Sequence, residues 1–165
     1  MWAPRGKTPV LRHRFNWKKL SICCALGFSH NGRHTRLVFQ IVPDAFTDEK
    51  LIVFLSKMRA EFKRKPVILI WDGLPSHRSR RMNAYLQAQK KWLSVTRLPS
   101  YAPDLNPVEY IWANIKGKEL ANLCSDDLGL VVAGVQSGFS RIHETGNLYH
   151  SFLKHAGISL EETVY

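Results

Sequence analysis

Residues 67–73 read V-I-L-I-W-D-G, a continuous apolar run that stops at Asp72. Such a run is typical of a strand that is buried on both faces, and it predicts a strand over residues 66–71. Ligand sites of open α/β sheets lie just beyond the carboxyl ends of strands, which makes Asp72 a candidate functional residue. The same position also suits an Asp that only ends a strand or caps the following turn.

The segments on either side of this strand predict an α/β sheet. Upstream, apolar runs over residues 20–28 and 36–42 flank His30-Asn31-Gly32, which is a strong hairpin signal, and Thr47 is the predicted N-cap of a helix over residues 47–63. Downstream, periodicity predicts a helix over residues 77–90, a strand over 92–98, a helix over 106–122, a helix opening at Asp126 or Asp127, and a short C-terminal helix. This order indicates an antiparallel hairpin followed by β-α-β crossovers.

Charge is distributed unevenly along the 165 residues, which contain 24 Lys and Arg against 13 Asp and Glu. Residues 1–43 hold eight basic residues and no acid, and residues 73–103 hold six and no acid, whereas residues 104–165 hold eight acids against four bases. This asymmetry indicates a surface that meets a polyanion such as nucleic acid. A merely solubilising positive surface is the alternative.

Several classes of protein are disfavoured by the same sequence. No apolar run approaches the roughly 20 residues of a transmembrane helix, so no membrane partner is expected. Three cysteines make no disulfide framework and indicate a reduced, intracellular protein. A zinc site from Cys23, Cys24, His30 and His34 is disfavoured, because a C-x-x-C half is missing and adjacent strand residues point to opposite faces.

Glu109 lies in Y-A-P-D-L-N-P-V-E-Y-I-W, residues 101–112, and allows two interpretations. Asn106 as N-cap, Pro107 as first helical residue and Glu109 as the third match a capping box. The approach to the helix is stiff, however, with three prolines in residues 99–107. A stiff approach fixes where Glu109 points, as a preorganised carboxylate requires.

Convergence of Asp72 and Glu109 would require a cation between them, since like charges repel. Hard oxygen ligands favour Mg²⁺ or Mn²⁺, and these ions in a basic protein indicate phosphodiester chemistry. A two-ion site normally needs a third carboxylate. No other acid stands in a suitable place; those considered are Asp44, Asp48, Asp104, Asp126 and Asp127.

Three motifs carry a resemblance to a known family: W-A-P-R-G-K-T-P at residues 2–9, I-W-D-G-L-P-S-H-R-S at 70–79, and L-P-S-Y-A-P-D-L-N-P-V-E-Y-I-W at 98–112. The sequence resembles the catalytic domain of DDE transposases of the mariner-like superfamily, in the bacterial insertion-sequence branch. The third motif is the most specific, and the resemblance spans about residues 2–125. Thirty-six residues separate Asp72 from Glu109, which fits the family's spacing between its second and third acids.

The resemblance implies a ribonuclease-H-like mixed sheet flanked by helices, with Asp72 and Glu109 as catalytic and metal-ligating residues. The first acid would lie on a central strand upstream of residues 2–9, so we expect that strand and acid to be absent from this chain. Residues 1–125 would form the truncated catalytic domain, and residues 126–165 a helical extension of it. In the full enzyme, water activated by Mg²⁺ or Mn²⁺ would cut a strand, and the freed 3′ hydroxyl would attack target DNA.

The resemblance also implies partners, namely double-stranded DNA at transposon ends and target, and an upstream transposase part or a second copy that closes the sheet. A bacterial, nucleoid-associated cytoplasmic protein is expected. His77 and Asn106 are predicted to support the site. The predicted DNA-binding residues are Arg5, Lys7, Arg12, Arg14, Arg78, Arg80, Arg81, Lys90 and Lys91. A non-catalytic DNA-binding or oligomerisation remnant is the alternative, and the activity of this chain alone is expected to be incomplete.

Overall fold

The computed structural model describes residues 6–7, 19–63, 65–99, 102–123 and 127–160. Its elements follow the predicted order. They are β1 (Leu20–Phe28), β2 (Thr35–Pro43), α1 (Asp48–Glu61), β3 (Val67–Trp71), α2 (Arg80–Ala88), β4 (Leu93–Arg97), α3 (Pro107–Gly117), α4 (Leu128–Glu144) and α5 (Leu148–His155). Short 3-10 turns lie at Pro75–Arg78 and Pro103–Leu105. None of the helices in these ranges is both long and apolar enough to cross a membrane.

The described strands form two separate two-stranded sheets. β1 and β2 form the predicted antiparallel hairpin, with Leu20 opposite Pro43 and Phe28 opposite Thr35. Gly32 takes a positive φ of 66° in its turn, a conformation that favours glycine. β3 and β4 are parallel and start with Val67 opposite Leu93. The predicted mixed sheet is therefore present as two halves.

Two contacts relate β1 to the chain around β3. Near its carboxyl end β1 meets Phe62, since a Cβ on Gly27 would stand 2.2 Å from Cζ of that ring, and Phe62 comes shortly before β3 in the chain. Nearer the amino end of β1, Cys23 lies close enough to Asp72 for the Asp72 charge to help raise the pKa of the thiol. β1 therefore lies near the segment that contains β3 and Asp72.

Two hydrophobic cores lie on either side of β1. Alternate β1 side chains enter one core, which is built by α3, α4 and α5 around Ile111, Ile115, Val135, Phe139, Ile142, Tyr149 and Phe152. The intervening residues Cys23 and Ala25 enter the other, built by α1, α2, β3 and β4 around Leu51, Leu55, Met58, Met82, Trp92 and Leu93. The C-terminal helices therefore share a core with α3 and β1.

The prediction that the central apolar run is buried on both faces is wrong. Val67, Leu69 and Trp71 pack on the second core, whereas Ile68 is 74% exposed and Ile70 is 54% exposed. Ile68 and Ile70 point to the other face of β3 and belong to neither hydrophobic core.

Two predicted helix boundaries also differ. The helix predicted from residue 77 begins at Arg80, because the Ser79 hydroxyl accepts the Met82 N–H at 3.0 Å and serves as N-cap. His77 lies in the preceding 3-10 turn. The helix predicted to reach residue 122 ends at Gly117, and turns follow it. Thr47 and Asp127 are N-caps as predicted.

Candidate active site

Asp72 leaves the end of β3 with one carboxylate oxygen engaged and one available. Oδ1 lies 2.8 Å from Nδ1 of His77 and accepts the Leu74 N–H at 3.3 Å. Oδ2 makes no hydrogen bond to a residue that the structure describes, and the side chain is 47% exposed. The turn-capping role considered for Asp72 is therefore present, and it leaves half of the carboxylate open to a ligand.

His77 is a buried support for Asp72. Its ring stacks on Trp71 with centroids 4.1 Å apart and planes 1° apart, and the residue is only 8% exposed. The sequence predicts a supporting role for His77 but gives no such role to Trp71. The signal that could have found this pair is an aromatic residue directly before Asp72 with a histidine five residues after it.

Glu109 lies in the first turn of α3, and the capping-box interpretation of it is wrong. Asn106 is the N-cap and accepts the Val108 N–H at 3.2 Å. The Asn106 N–H, however, donates to the Pro103 carbonyl at 2.9 Å, so the 3-10 turn has taken the donor that a capping-box glutamate needs. The Glu109 carboxylate has no hydrogen bond or ion pair to a described residue and is exposed. It is free to bind a ligand.

Asp72 and Glu109 both line one large cavity, of about 1240 Å³, which residues of β1 and β3 also border. Asn106 and His77 line it as well. The structure thus brings Asp72 and Glu109 to one space from elements that are far apart in the sequence.

Cys23 lines the same cavity, and its thiol has low reactivity. Burial, and to a lesser extent the Asp72 charge, raise the pKa of its thiol to about 12. The thiol is therefore protonated near neutral pH, and a protonated thiol is a poor nucleophile and metal ligand. Burial also raises the pKa of Cys24, whose side chain enters the opposite core, as the alternation along a strand predicts.

The predicted DNA-binding residues are only partly brought together. Arg78 lies beside the site, since its guanidinium donates to the Gly73 carbonyl. Arg80 is exposed without an ion-pair partner among the described residues, whereas Arg81 pairs with Glu49. Lys90 and Lys91 are exposed at the opposite end of β3, where Val67 N–H bonds the Trp92 carbonyl. Lys7 is exposed, and Arg5, Arg12 and Arg14 lie outside the described residues.

The carboxylates of Asp72 and Glu109 are the kind of ligand that a hard divalent cation prefers, but they are only two. Across the described ranges, no group of three or more His, Cys, Asp or Glu side chains is placed to hold a metal. Asp48 and Glu49, the acids in the first turn of α1, are bound by Ser79 and Arg81. Proteins often hold Mg²⁺ through one or two carboxylates, with water and substrate phosphates as the other ligands. Asp72 and Glu109 match that pattern.

Comparison with known proteins identifies the family. A family model described as DDE superfamily endonuclease matches residues 1–128. The chain belongs to the DDE superfamily of endonucleases. The search of curated proteins found no match to the sequence.

Solved structures similar to this DDE endonuclease domain come from the Mos1 transposase. The catalytic domain of Mos1 with raltegravir and Mg is 20% identical, with a TM-score of 0.55, and the alignment covers 87% of this chain and 78% of that one. The Mos1 mariner paired-end complex with Mn is 19% identical, with a TM-score of 0.58, and covers 98% of this chain and 51% of that one. The chain thus spans about half the length of the Mos1 chain in that complex. The likeness confirms the predicted ribonuclease-H-like fold.

Proposed function

We propose that this DDE endonuclease domain serves in DNA transposition, where it cleaves and joins DNA strands with a divalent metal ion, and that Asp72 and Glu109 are two of its metal ligands. One observation supports the proposal above the others. The two carboxylates come from separate elements, line one cavity, and have no Lys or Arg ion-pair partner among the described residues. Carboxylates with a purely structural role are usually paired with Lys or Arg, whereas Asp72 Oδ2 and the Glu109 carboxylate are available to a ligand.

Each side chain of the site has a distinct part. Asp72 and Glu109 would hold Mg²⁺ or Mn²⁺, which when bound would stabilise charge on phosphodiester oxygens as a Lewis acid. His77 holds Oδ1 of Asp72, which leaves Oδ2 open to a ligand. The solved Mos1 structures with Mg and with Mn support this choice of ion.

Double-stranded DNA is the proposed substrate, with transposon ends and target as its two forms. Arg78 and Arg80 stand just after Asp72, and the chain carries a net charge of +11. A Mos1 paired-end complex with the left transposon end is among the similar structures. The three sequence motifs further support an origin in a bacterial insertion sequence, and hence a nucleoid-associated location.

Metal binding tests the proposal directly on the purified chain. Mn²⁺ titration, followed by the EPR signal of the free ion, compares the wild type with Asp72→Asn and Glu109→Gln. Each variant should bind Mn²⁺ at least roughly tenfold more weakly, because each loses one charged oxygen ligand. Asp104→Asn, which alters an exposed acid close to α3, is the matched control and should bind as the wild type does. Equal Mn²⁺ affinity in all four proteins would contradict the proposed site.

Strand cleavage is best assayed with the upstream coding region included. Translation of the DNA before the Met1 codon in three frames reveals whether an apolar strand ending in Asp is encoded there. If it is, the joined product should nick a labelled transposon-end duplex in Mn²⁺, and Asp72→Asn should abolish the nicking.

A non-catalytic DNA-binding remnant is the second candidate, and the small donor set favours it. The Asp72→Ala variant separates the two candidates in a duplex-binding and cleavage assay. A nuclease loses cleavage with the carboxylate. A binding protein keeps its affinity for DNA, or gains some, because a negative charge is removed.

A further inference from the structure

A cluster of exposed basic side chains lies at the end of β3 that is opposite to Asp72. The members of this basic patch are Arg59, Lys63, Lys65, Lys90 and Lys91. The pairing of β3 with β4 brings them together, because the Val67 N–H donates to the Trp92 carbonyl at 2.7 Å. Lysines stand two residues before the start of each of these strands. The basic patch therefore combines the ends of α1 and α2 with the starts of two strands.

Arg59 is held at the surface by residues from the end of α2. Its Nη1 donates to Oε1 of Gln89 at 3.2 Å, and its guanidinium carbon lies 5.3 Å from the centroid of the Trp92 ring. Trp92 is buried, and its Nε1 donates to the same Gln89 oxygen at 2.7 Å. A guanidinium has five N–H donors, so this arrangement fixes the charge and leaves further donors for a ligand.

Little in the basic patch neutralises its charge. Residues 59–65 and 87–92 contain six basic residues and one acid, Glu61. The four lysine ammonium groups of the patch make no hydrogen bond or ion pair to a described residue. Lys50 and Lys57, earlier on α1, both donate to backbone carbonyls instead. Unpaired positive charge that is concentrated on one surface attracts a polyanion.

Lys63 has a backbone conformation that does not favour lysine. Its φ is 52°, in the left-handed region, and it directly follows Phe62, the C-cap of α1. Glycine is the usual residue at this position, because a side chain is unfavourable there. A lysine lowers stability relative to glycine and adds a positive charge to the basic patch. This combination indicates a role for the charge.

Duplex DNA fits the basic patch better than a membrane surface does. Helices that lie on membranes combine basic residues with exposed large apolar side chains. In the described part of the chain, the exposed large apolar side chains lie outside residues 59–63 and 87–92. A duplex presents one phosphate charge about every 1.7 Å along its axis and needs no apolar contact.

We propose that the basic patch binds the backbone of a second segment of duplex DNA, separate from the DNA that the site at Asp72 would cleave. β3 has five residues, so its two ends lie about 17 Å apart. A duplex is stiff over about 150 base pairs, so one that lies across the carboxyl end of β3 does not bend round to the other end. Contacts to phosphates make this binding independent of base sequence. The proposal rests on the proposed function for its ligand, double-stranded DNA.

The salt dependence of DNA binding tests the basic patch on the full chain. Fluorescence anisotropy follows a short duplex of random sequence in EDTA, so that no metal ion contributes. The double variant Lys90→Gln with Lys91→Gln should reduce the slope of log affinity against log salt by about 0.9 for each phosphate contact that is lost. The reduction should be the same with and without Asp72→Asn, because the two sites are separate.

A matched control removes the same charge elsewhere. Lys116→Gln with Lys118→Gln changes two exposed lysines at the end of α3 and should leave the slope unchanged. Lys63→Gly should reduce the slope by about 0.9, while the urea midpoint stays the same or rises, because glycine suits the φ of 52°. A residue needed only for the fold would lower the urea midpoint when it is replaced.

Three results would overturn the proposal. Wild-type slopes for the Lys90 and Lys91 double variant and for Lys63→Gly, beside a reduced slope for Arg80→Gln, would exclude the basic patch and leave the proposed function in place. Binding to vesicles of anionic phospholipid that the double variant loses, with unchanged DNA binding, would assign the patch to a membrane. Absence of duplex binding by the wild type would exclude the patch, and Mn²⁺ binding at Asp72 and Glu109 would then test the proposed metal site separately.

Discussion

At the scale of single residues, the site depends on how Asp72 is held. His77 contacts the Asp72 carboxylate and stacks on Trp71, so this one side chain connects the proposed metal ligand Asp72 to the hydrophobic core. His77→Phe should keep the stacking on Trp71 and lose the contact with the Asp72 carboxylate. We expect Mn²⁺ affinity to fall about tenfold, as when the supporting partner of a ligand is removed. The free energy of unfolding should stay within about 1 kcal/mol of the wild type.

His77→Ala is the companion variant, because it loses both the contact and the stack. It should lower the free energy of unfolding by about 2 kcal/mol as well as the Mn²⁺ affinity. Unchanged Mn²⁺ binding by His77→Phe, measured beside Asp72→Asn, would show that Asp72 needs no support from this ring.

Neighbouring arginines offer a matched pair for the DNA surface. Arg80 has no ion-pair partner among the described residues, whereas Arg81 is paired with Glu49. A phosphate contact contributes about −0.9 to the slope of log affinity against log salt. Arg80→Gln should reduce the slope for duplex DNA by about that amount, and Arg81→Gln by less, because its charge is already partly neutralised. Fluorescence anisotropy across a salt series measures both, and equal slopes would exclude Arg80 as a phosphate contact.

At the scale of elements, α4 lies unusually close to the end of α3. A Cβ on Gly138 would stand 2.9 Å from Ile115 Cγ1 and 3.0 Å from Glu119 Oε2. Arg141, one turn further along α4, donates to Glu119 and to Asn114, and this bonding lowers the pKa of Glu119. Gly138 thus allows α4 to lie close to the end of α3, and the Arg141–Glu119 ion pair holds the two segments together.

Gly138→Ala should therefore destabilise the protein although alanine favours helices. The clash with Ile115 costs about 1–3 kcal/mol, and improved helix propensity returns about 1 kcal/mol, so a net loss of about 1 kcal/mol is expected. Gly117→Ala is the control, because nothing lies within 4 Å of a Cβ there. It should leave stability unchanged or raise it. Urea unfolding compares the two, and a stabilised Gly138→Ala would contradict the close packing.

At the scale of the whole molecule, the exposed face of β3 contributes little to the stability of the fold. Ile68 and Ile70 are exposed, so Ile68→Thr with Ile70→Thr should change the free energy of unfolding by less than about 0.5 kcal/mol for each residue. Urea unfolding measures the change. A loss above about 1 kcal/mol for the double variant would mean that another part of the protein covers this face.

Much of the architecture was predictable because its signals are local. The hairpin follows from Asn31-Gly32 between apolar runs, and the order of helices and strands follows from periodicity and capping residues such as Thr47 and Asp127. Asp72 and Glu109 could also be singled out, the first by its place after an apolar run and the second by its stiff, motif-bearing approach. These features depend on a few neighbouring residues, so the chain itself carries them.

Tertiary structure alone determined what those residues can do. The burial of β3 could not be inferred, because the exposure of Ile68 depends on what packs on that face of the strand, and an apolar run does not record its neighbours in space. The freedom of Glu109 depends on a 3-10 turn that takes the Asn106 N–H first. The cavity that Asp72 and Glu109 share depends on how β1, β3 and α3 pack across long sequence separations. Local sequence specifies elements, whereas the spaces between elements are set by their packing.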